Sequence, residues 1–344
     1  MRNYVRWFAS CLFLASLSIL AGEEKLENTS PRIPTVGEGV RIPVETPVGT
    51  FDIWTKKVGE NPTIKVLFLH GGPGATHEQW ESAEQHLAPA GVEFYYYDQL
   101  GSYFSDQPDE PALWTTSRFV EEVEQVRQAL GLGPDNFYLV GQSWGGILAI
   151  EYALKYQNNL KGLVISNMMA SIPAYNRYAT DILMADMDPT VLEELKAFEA
   201  AEDYHNERYI GLLVEHHYVD HVLRMPVDQW PDAINRTFAH INQNVYIPMQ
   251  GPSELGASGL LEQWDRTADL DKITVPSLVI GATHDTMDPA HMQWMADQIP
   301  NARFLLCPNG SHLSQWDDPE IYYSGLIKFL RDVDSGSFSK QTRQ

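Results

Sequence analysis

The 344-residue chain reads as an α/β protein, a doubly wound and mostly parallel sheet with a helical cap insert. Three observations predict this. Six short apolar runs, at residues 65–70, 93–98, 137–141, 161–166, 277–281 and 303–307, show no alternation of apolar and polar residues. Strands buried on both faces of a parallel sheet read this way. Helix-period segments alternate with these runs, which implies right-handed crossovers and helices on both faces of the sheet. The alternation stops over 172–270, a stretch rich in aromatics, His and Glu, and resumes with two more strands. A helical cap lying over the carboxyl edge of the sheet is the economical reading.

The elements follow in chain order. Arg2 and Arg6 precede an apolar run at 7–20 that ends in Ala21-Gly22. The run falls short of the roughly 20 residues a membrane span needs. A basic start, a short apolar stretch and small residues read as a secretory signal peptide over 1–22, with an uncleaved membrane anchor as the alternative. Glu23 stands where a lipoprotein would need Cys. Residues 23–38, polar and Pro-bearing, read as a flexible leader. Segments 39–44 and 50–57 read as a lead-in antiparallel hairpin. Residues 117–130 place Phe119, Val120, Val123, Val126 and Leu130 on one helical face and stop at Gly131. Helices are also expected over 145–156, 289–298 and 319–330. The core therefore spans 39–171 and 271–333, the cap 172–270 and a tail 334–344. Beyond the first 22 residues no stretch is long and apolar enough to span a bilayer, so membrane contact is expected only through an uncleaved amino-terminal segment.

Composition excludes several functions. The net charge of −22 repels phosphate backbones and anionic lipid, which excludes a nucleic-acid binder and a charge-docked membrane protein. With 44% hydrophobic and 20% charged residues the chain can bury a large core and is not disordered. Two cysteines, Cys11 and Cys307, exclude a disulfide scaffold and a thiolate zinc cluster.

The chemistry begins at Gly141-Gln142-Ser143-Trp144-Gly145-Gly146, which lies between an apolar strand run and a helical run. This is G-x-S-x-G in the strand–turn–helix setting that exposes a serine hydroxyl above a sheet. A serine hydroxyl becomes a nucleophile when a base takes its proton. An acid and a histidine should follow, each after a later strand. Asp285, four residues past the 277–281 strand, is the candidate acid; Asp288 instead suits a cap for the helix beginning at Pro289. His312, on a Gly-containing loop after the 303–307 strand, is the candidate base, and His284 reads as a loop residue. In this arrangement His312 takes the Ser143 proton, Asp285 holds the imidazole tautomer, and an acyl-enzyme forms and is hydrolysed. Two backbone N–H donors must meet the oxyanion. Trp144, after the nucleophile, and Gly72, in the His70-Gly71-Gly72-Pro73-Gly74 loop, are the candidates. No cofactor is needed.

His70-Gly71-Gly72-Pro73-Gly74, Tyr97-Asp98-Gln99 with Gly101 and Ser105, and Gly141-Gln142-Ser143-Trp144-Gly145 together resemble the prolyl aminopeptidase (proline iminopeptidase) family of α/β-hydrolases. The resemblance runs from about residue 40 to 330. It extends into the cap, where 214–224 resembles the family's glutamate-then-H-x-x-R stretch and Asn244-Val245-Tyr246 through Gly251-Pro252-Ser253-Glu254, with Trp264-Asp265, resembles its NVY…GP-x-E…WD stretch. By position, the resemblance implies that Glu215 and Glu254 hold the substrate's free amino terminus. Two carboxylates in a closed pocket can neutralise an ammonium, and a blocked substrate would leave them unpaired. Leu100, Leu223 and Gln142 stand where the family commonly has Arg, Cys and Gly; none belongs to the triad.

His217 and His221, four apart near Glu215 and Asp220, have a spacing that suits zinc, but HExxH is absent and a serine triad needs no metal; no metal site is expected. Trp144, Tyr246 and Trp264 suit either an apolar slot for a pyrrolidine ring or ordinary packing. Asn28, Asn235 and Asn309 head N-x-S/T sequons, and a glycan on Asn309 would obstruct His312. That favours a compartment without N-glycosylation, such as a bacterial periplasm. The expectation is a secreted or periplasmic serine aminopeptidase that acts on short peptides or aminoacyl amides with a free amino terminus, preferably proline. The rivals are an amidase, esterase or lactonase on the same triad, and a catalytically silent hydrolase-fold binding protein.

Overall fold

The computed structural model describes residues 39–340. The expected signal peptide, the leader through residue 38 and residues 341–344 of the tail lie outside the described residues. Eight strands form one sheet in the order β1-β2-β4-β3-β5-β6-β7-β8. β1 (Val40–Thr46) and β2 (Gly49–Val58) pair as the antiparallel hairpin, and β2 joins β4 (Glu93–Tyr97) antiparallel. β3 (Lys65–Leu69), β5 (Phe137–Gln142), β6 (Gly162–Ser166), β7 (Ser277–Ala282) and β8 (Ala302–Cys307) complete a parallel array with β4.

The apolar runs are explained by burial on both faces. Along β5, Phe137 and Leu139 enter one core while Tyr138 and Val140 enter the other, and all four are fully buried. The first core is closed by α1 (Thr116–Ala129), α2 (Trp144–Tyr156) and a later helix, Pro289–Gln298, through residues such as Phe119, Val123, Ile147 and Met292. The second is closed by the last helix, Pro319–Asp334, with Tyr322, Leu326 and Phe329, and by Trp80 and Leu87. Among the described residues no helix is long and apolar enough to cross a membrane.

Between β6 and β7 the chain forms helices joined by turns and loops, including a non-helical stretch at 250–269, with one isolated bridge, Ser171 to Asp265. α3 (Ile172–Tyr178), α4 (Pro189–Ala200), α5 (Glu207–Leu213), α6 (Asp232–His240) and α7 (Gln243–Met249) carry this stretch, with π-helical turns at Ala179–Leu183 and Val214–Tyr218. It has an apolar cluster of its own around Leu195, Tyr209, Leu212 and Leu213. A second cluster, Val222, Leu223, Trp230 and Ile234, packs on Leu313 of the core, beside His312. Arg236 of α6 reinforces the junction: it bonds Glu81 at 2.7 Å and pairs with buried Glu78, which also meets His240 at 2.8 Å.

β3 connects outward to β4, whereas β5 connects outward to β6 on the other side. The loops leaving the carboxyl ends of β3 and β5 therefore diverge and leave a crevice, the usual ligand position in a doubly wound sheet. The oxyanion loop candidate leaves β3 and the serine leaves β5, so the topology alone brings them together.

Candidate active site

Ser143 sits between β5 and α2 with φ 57° and ψ −126°, a sparsely populated conformation for a residue with a side chain. The neighbouring glycines make this turn possible. A Cβ on Gly141 would lie 1.9 Å from the Gly145 carbonyl oxygen, and one on Gly145 would lie 2.3 Å from that of Leu69. No side chain fits at either position, which is why the elbow reads G-x-S-x-G. The Ser143 N–H donates to the Ser166 carbonyl at 3.1 Å, tying the elbow to the end of β6.

Asp285 follows β7 and His312 follows β8. Both are buried, and His312 Nδ1 lies 2.7 Å from Asp285 Oδ1. A carboxylate only accepts, so Nδ1 carries the proton and Nε2 is left with its lone pair. Nε2 is buried and has no hydrogen-bond partner among the described residues. Burial opposes a charge on His312, but the Asp285 carboxylate and its hydrogen bond, with Glu254 and Asp317, outweigh burial and raise its pKa. Asp285 is held in turn by the Met287 N–H on Oδ1 at 3.0 Å and by Asn167 Nδ2 on Oδ2 at 2.7 Å. Thr286 Oγ1 stands 3.3 Å from His312 Nδ1.

Ser143 and His312 line one cavity with about 50 Å³ of water-accessible space. Gly71, Gly72, Gln79 and Gln142 form its core side; Val222, Ile234, Phe238, Ile241, Tyr246 and Glu254 form its cap side. Larger clefts exist elsewhere. One of about 360 Å³ between α1, α2 and Arg266 is lined by paired charges and holds none of the triad.

Residues 65–319 match the model of the alpha/beta hydrolase fold family. The proline iminopeptidase of Flavobacterium johnsoniae is 53% identical over 85% of this chain and 98% of its own length. That of Elizabethkingia meningoseptica is 54% identical over 87% of this chain and its whole length. Among solved structures, Mycobacterium smegmatis proline iminopeptidase superposes with a TM-score of 0.76 at 29% identity, over 87% of this chain and 100% of that one.

The chain belongs to the proline iminopeptidase family of α/β-hydrolases.

In this α/β-hydrolase the oxyanion candidates lie at the crevice. Gly72 has φ +105°, where only glycine is unstrained, and a Cβ there would lie 2.7 Å from the Ala75 nitrogen. The Gly71 carbonyl of the same peptide unit is 2.9 Å from His70 Nδ1, and the Gln99 N–H meets His70 Nε2 at 3.1 Å. His70 therefore donates through Nδ1 and accepts through Nε2 as a neutral ring. Burial, the largest influence on it, lowers its pKa to about 4. A trans peptide points its N–H opposite its carbonyl, so this contact turns the Gly72 N–H away from His70. Trp144 opens α2, where the orphan N–H groups and the helix dipole favour negative charge.

The two cap glutamates part company. Glu254 lines the cavity, and its Oε1 accepts from Tyr246 Oη at 2.6 Å. Its backbone carbonyl accepts from Tyr175 Oη at 2.7 Å and meets His217 Nε2 at 3.0 Å. Glu215 does not join it, which corrects the expectation of a carboxylate pair. Glu215 is exposed and lines a separate polar cleft with Asp186, Asp188 and Asp220. The cause is helical phase: His217, two residues on, faces inward and is 1% exposed, so Glu215 falls on nearly the opposite face.

His217 and His221 are engaged with backbone, His217 with the Glu254 carbonyl and His221 Nδ1 with the His284 carbonyl at 3.0 Å. Burial, then His221, lowers the His217 pKa to about 3. Of the three aromatics weighed for a ring slot, only Tyr246 lines the cavity. Trp144 is packed inside with Nε1 on Gln99 Oε1, and Trp264 reaches Glu151. Asp288 accepts from the Ala290 N–H at 2.8 Å as a helix cap. Sequence reasoning missed Asn167, Thr286, Gln79 and Phe238. The signal for Asn167 was available: a residue able to take φ +51° directly after β6.

Proposed function

We propose that this α/β-hydrolase releases amino-terminal residues, preferably proline, from short peptides through an acyl-enzyme. The single observation carrying the assignment is one cavity that brings Ser143, the unpaired Nε2 of His312 and a carboxylate, Glu254, together. High identity to proline iminopeptidases over nearly their full length supports the same reading.

His312 Nε2 takes the Ser143 proton as Oγ attacks the carbonyl carbon of the first residue. Asp285 stabilises the imidazolium formed. The Gly72 and Trp144 N–H groups receive the developing oxyanion. Collapse expels the leaving amine, which takes the proton from His312; water, activated by the same base, then frees the residue. Glu254 accepts hydrogen bonds from the substrate's amino group and neutralises it, while Tyr246 orients the carboxylate. Burial, the largest influence, and then Glu254 push the Tyr246 phenol well above its ordinary pKa, so it stays a neutral donor. Val222, Ile234, Phe238 and Leu313 give the compact apolar surround that a pyrrolidine ring fills without leaving polar groups unpaired. The test compares prolyl-β-naphthylamide with its N-acetylated form. Hydrolysis of the free amine alone supports the proposal; equal rates on both refute amine capture.

A further inference from the structure

We propose that Gln79 and Gln142 form a directional amide relay that positions the His312 loop and the oxyanion turn around Ser143. It rests on the reading of Ser143, His312 and Gly72 given above. The Gly71 N–H donates to Gln79 Oε1 at 2.9 Å. Gln79 Nε2 donates to Gln142 Oε1 at 2.9 Å, and Gln142 Nε2 donates to the His312 carbonyl at 2.8 Å. The chain starts at a backbone donor and ends at a backbone acceptor, so its polarity is determined. Turning either amide over would set N–H against N–H at one of its contacts and oxygen against oxygen at the other.

The end of β5 is linked in this way to the loops leaving β3 and β8. Both side chains are buried, Gln79 at 3% and Gln142 at 1% exposure, where an unmet amide group is costly. The Gln79 end is anchored, because Trp316 Nε1 donates to the Gln79 carbonyl at 2.7 Å. The relay also lies against the nucleophile: a Cβ on Gly71 would come 3.0 Å from Gln142 Oε1 and 3.1 Å from Ser143 Cβ.

Its purpose follows from what else holds His312. Asp285 orients the ring through Nδ1, but a ring hydrogen bond does not set the height of the backbone. The His312 N–H donates to the His221 carbonyl of the cap at 3.0 Å, and its carbonyl receives the relay. The base is thus suspended between cap and elbow, and the same amides reach the peptide next to Gly72. Gln79 and Gln142 are positioning residues: they act on the reaction through His312 and Gly71.

The variants Gln79→Met and Gln142→Met keep side-chain size and remove the amides. The assay is kcat and KM on prolyl-β-naphthylamide, normalised to sites titrated with a fluorophosphonate, with thermal melting alongside. Each variant is expected to lose about 10- to 100-fold in kcat per titrated site, since a misplacement near 1 Å costs roughly 10²-fold. KM is expected to stay within about threefold, and the double variant to lose no more than the worse single one, as members of one network do. The relay is overturned if either variant keeps kcat per site within about twofold, if the losses multiply in the double variant, or if fewer titratable sites account for the whole loss. A wild-type enzyme that labels at Ser143 but ignores the prolyl amide refutes the peptidase reading alone, and the relay is then measured on p-nitrophenyl acetate with the same pattern expected. Failure of wild-type Ser143 to label overturns both.

Discussion

Replacing Glu254 by Gln removes one charge and almost nothing else. Tyr246 Oη, 2.6 Å from Oε1, can donate to an amide oxygen as readily as to a carboxylate, so the local packing survives. That contact directs the amide oxygen toward Tyr246 and leaves its NH₂ facing the cavity, donor against the substrate's ammonium. A hydrogen bond to a charged group contributes about 1.5–3 kcal/mol net. At about 1.4 kcal/mol per tenfold, kcat/KM for prolyl-β-naphthylamide should fall by roughly 10- to 150-fold. An N-acetylated prolyl amide, or p-nitrophenyl acetate, has no ammonium to lose and should change by less than about threefold. The assay is therefore a ratio: kcat/KM on the free amine over kcat/KM on the uncharged ester, wild type against variant. A ratio unchanged within twofold, or an equal loss on both substrates, refutes amine capture by Glu254. Glu215→Gln is the control. That side chain is exposed in a separate cleft, so the ratio should stay at the wild-type value.

The remaining expected outcomes concern His312 with its partner Asp285, then Asn167, then Cys307. Hydrolysis of p-nitrophenyl acetate requires neutral His312, whose pKa is raised, so the acid limb of kcat/KM should lie above the ordinary histidine value of about 6.5. Asp285→Asn should move that limb to lower pH and reduce kcat by about 10⁴, as loss of the carboxylate costs in a related triad. The sign of the stability effect follows from the same shift: folded His312 holds its proton more tightly, so its contribution is complete below the unfolded pKa and is lost as pH rises through the folded one. Asn167→Ala leaves Asp285 Oδ2 without its 2.7 Å donor, and urea unfolding should show a loss of about 1–3 kcal/mol; an unchanged midpoint would contradict it. Cys307 is fully buried, and burial, the largest influence, pushes its thiol up to about 12; a disulfide reagent should modify it only in denaturant.

How much of the site could be read in advance differs residue by residue. Ser143, Asp285 and His312 were legible because each belongs to a local pattern, a loop that directly follows an apolar strand run. The pairings of β5, β6, β7 and β8 then carry those loops to one sheet edge. Glu254 and Glu215 were indistinguishable by the same logic. Both are acids in an amphipathic insert, and the π-helical turn at Val214–Tyr218 alters the helical phase without a mark in the sequence.

The amino-acid sequence alone determined the sheet, the order of nucleophile, acid and base, and the glycines of the elbow. These depend on hydrophobic periodicity and on backbone conformations that few residue types can adopt. Tertiary structure alone decided which cap carboxylate faces the serine, which aromatic ring borders the cavity, and how Asn167, Gln79 and Gln142 hold the catalytic loops. The physical reason is range. A turn or a strand is specified by neighbours a few residues away, whereas the direction of a side chain in a cap is set by contacts such as Leu313 with Val222 or Arg236 with Glu81, far apart along the chain.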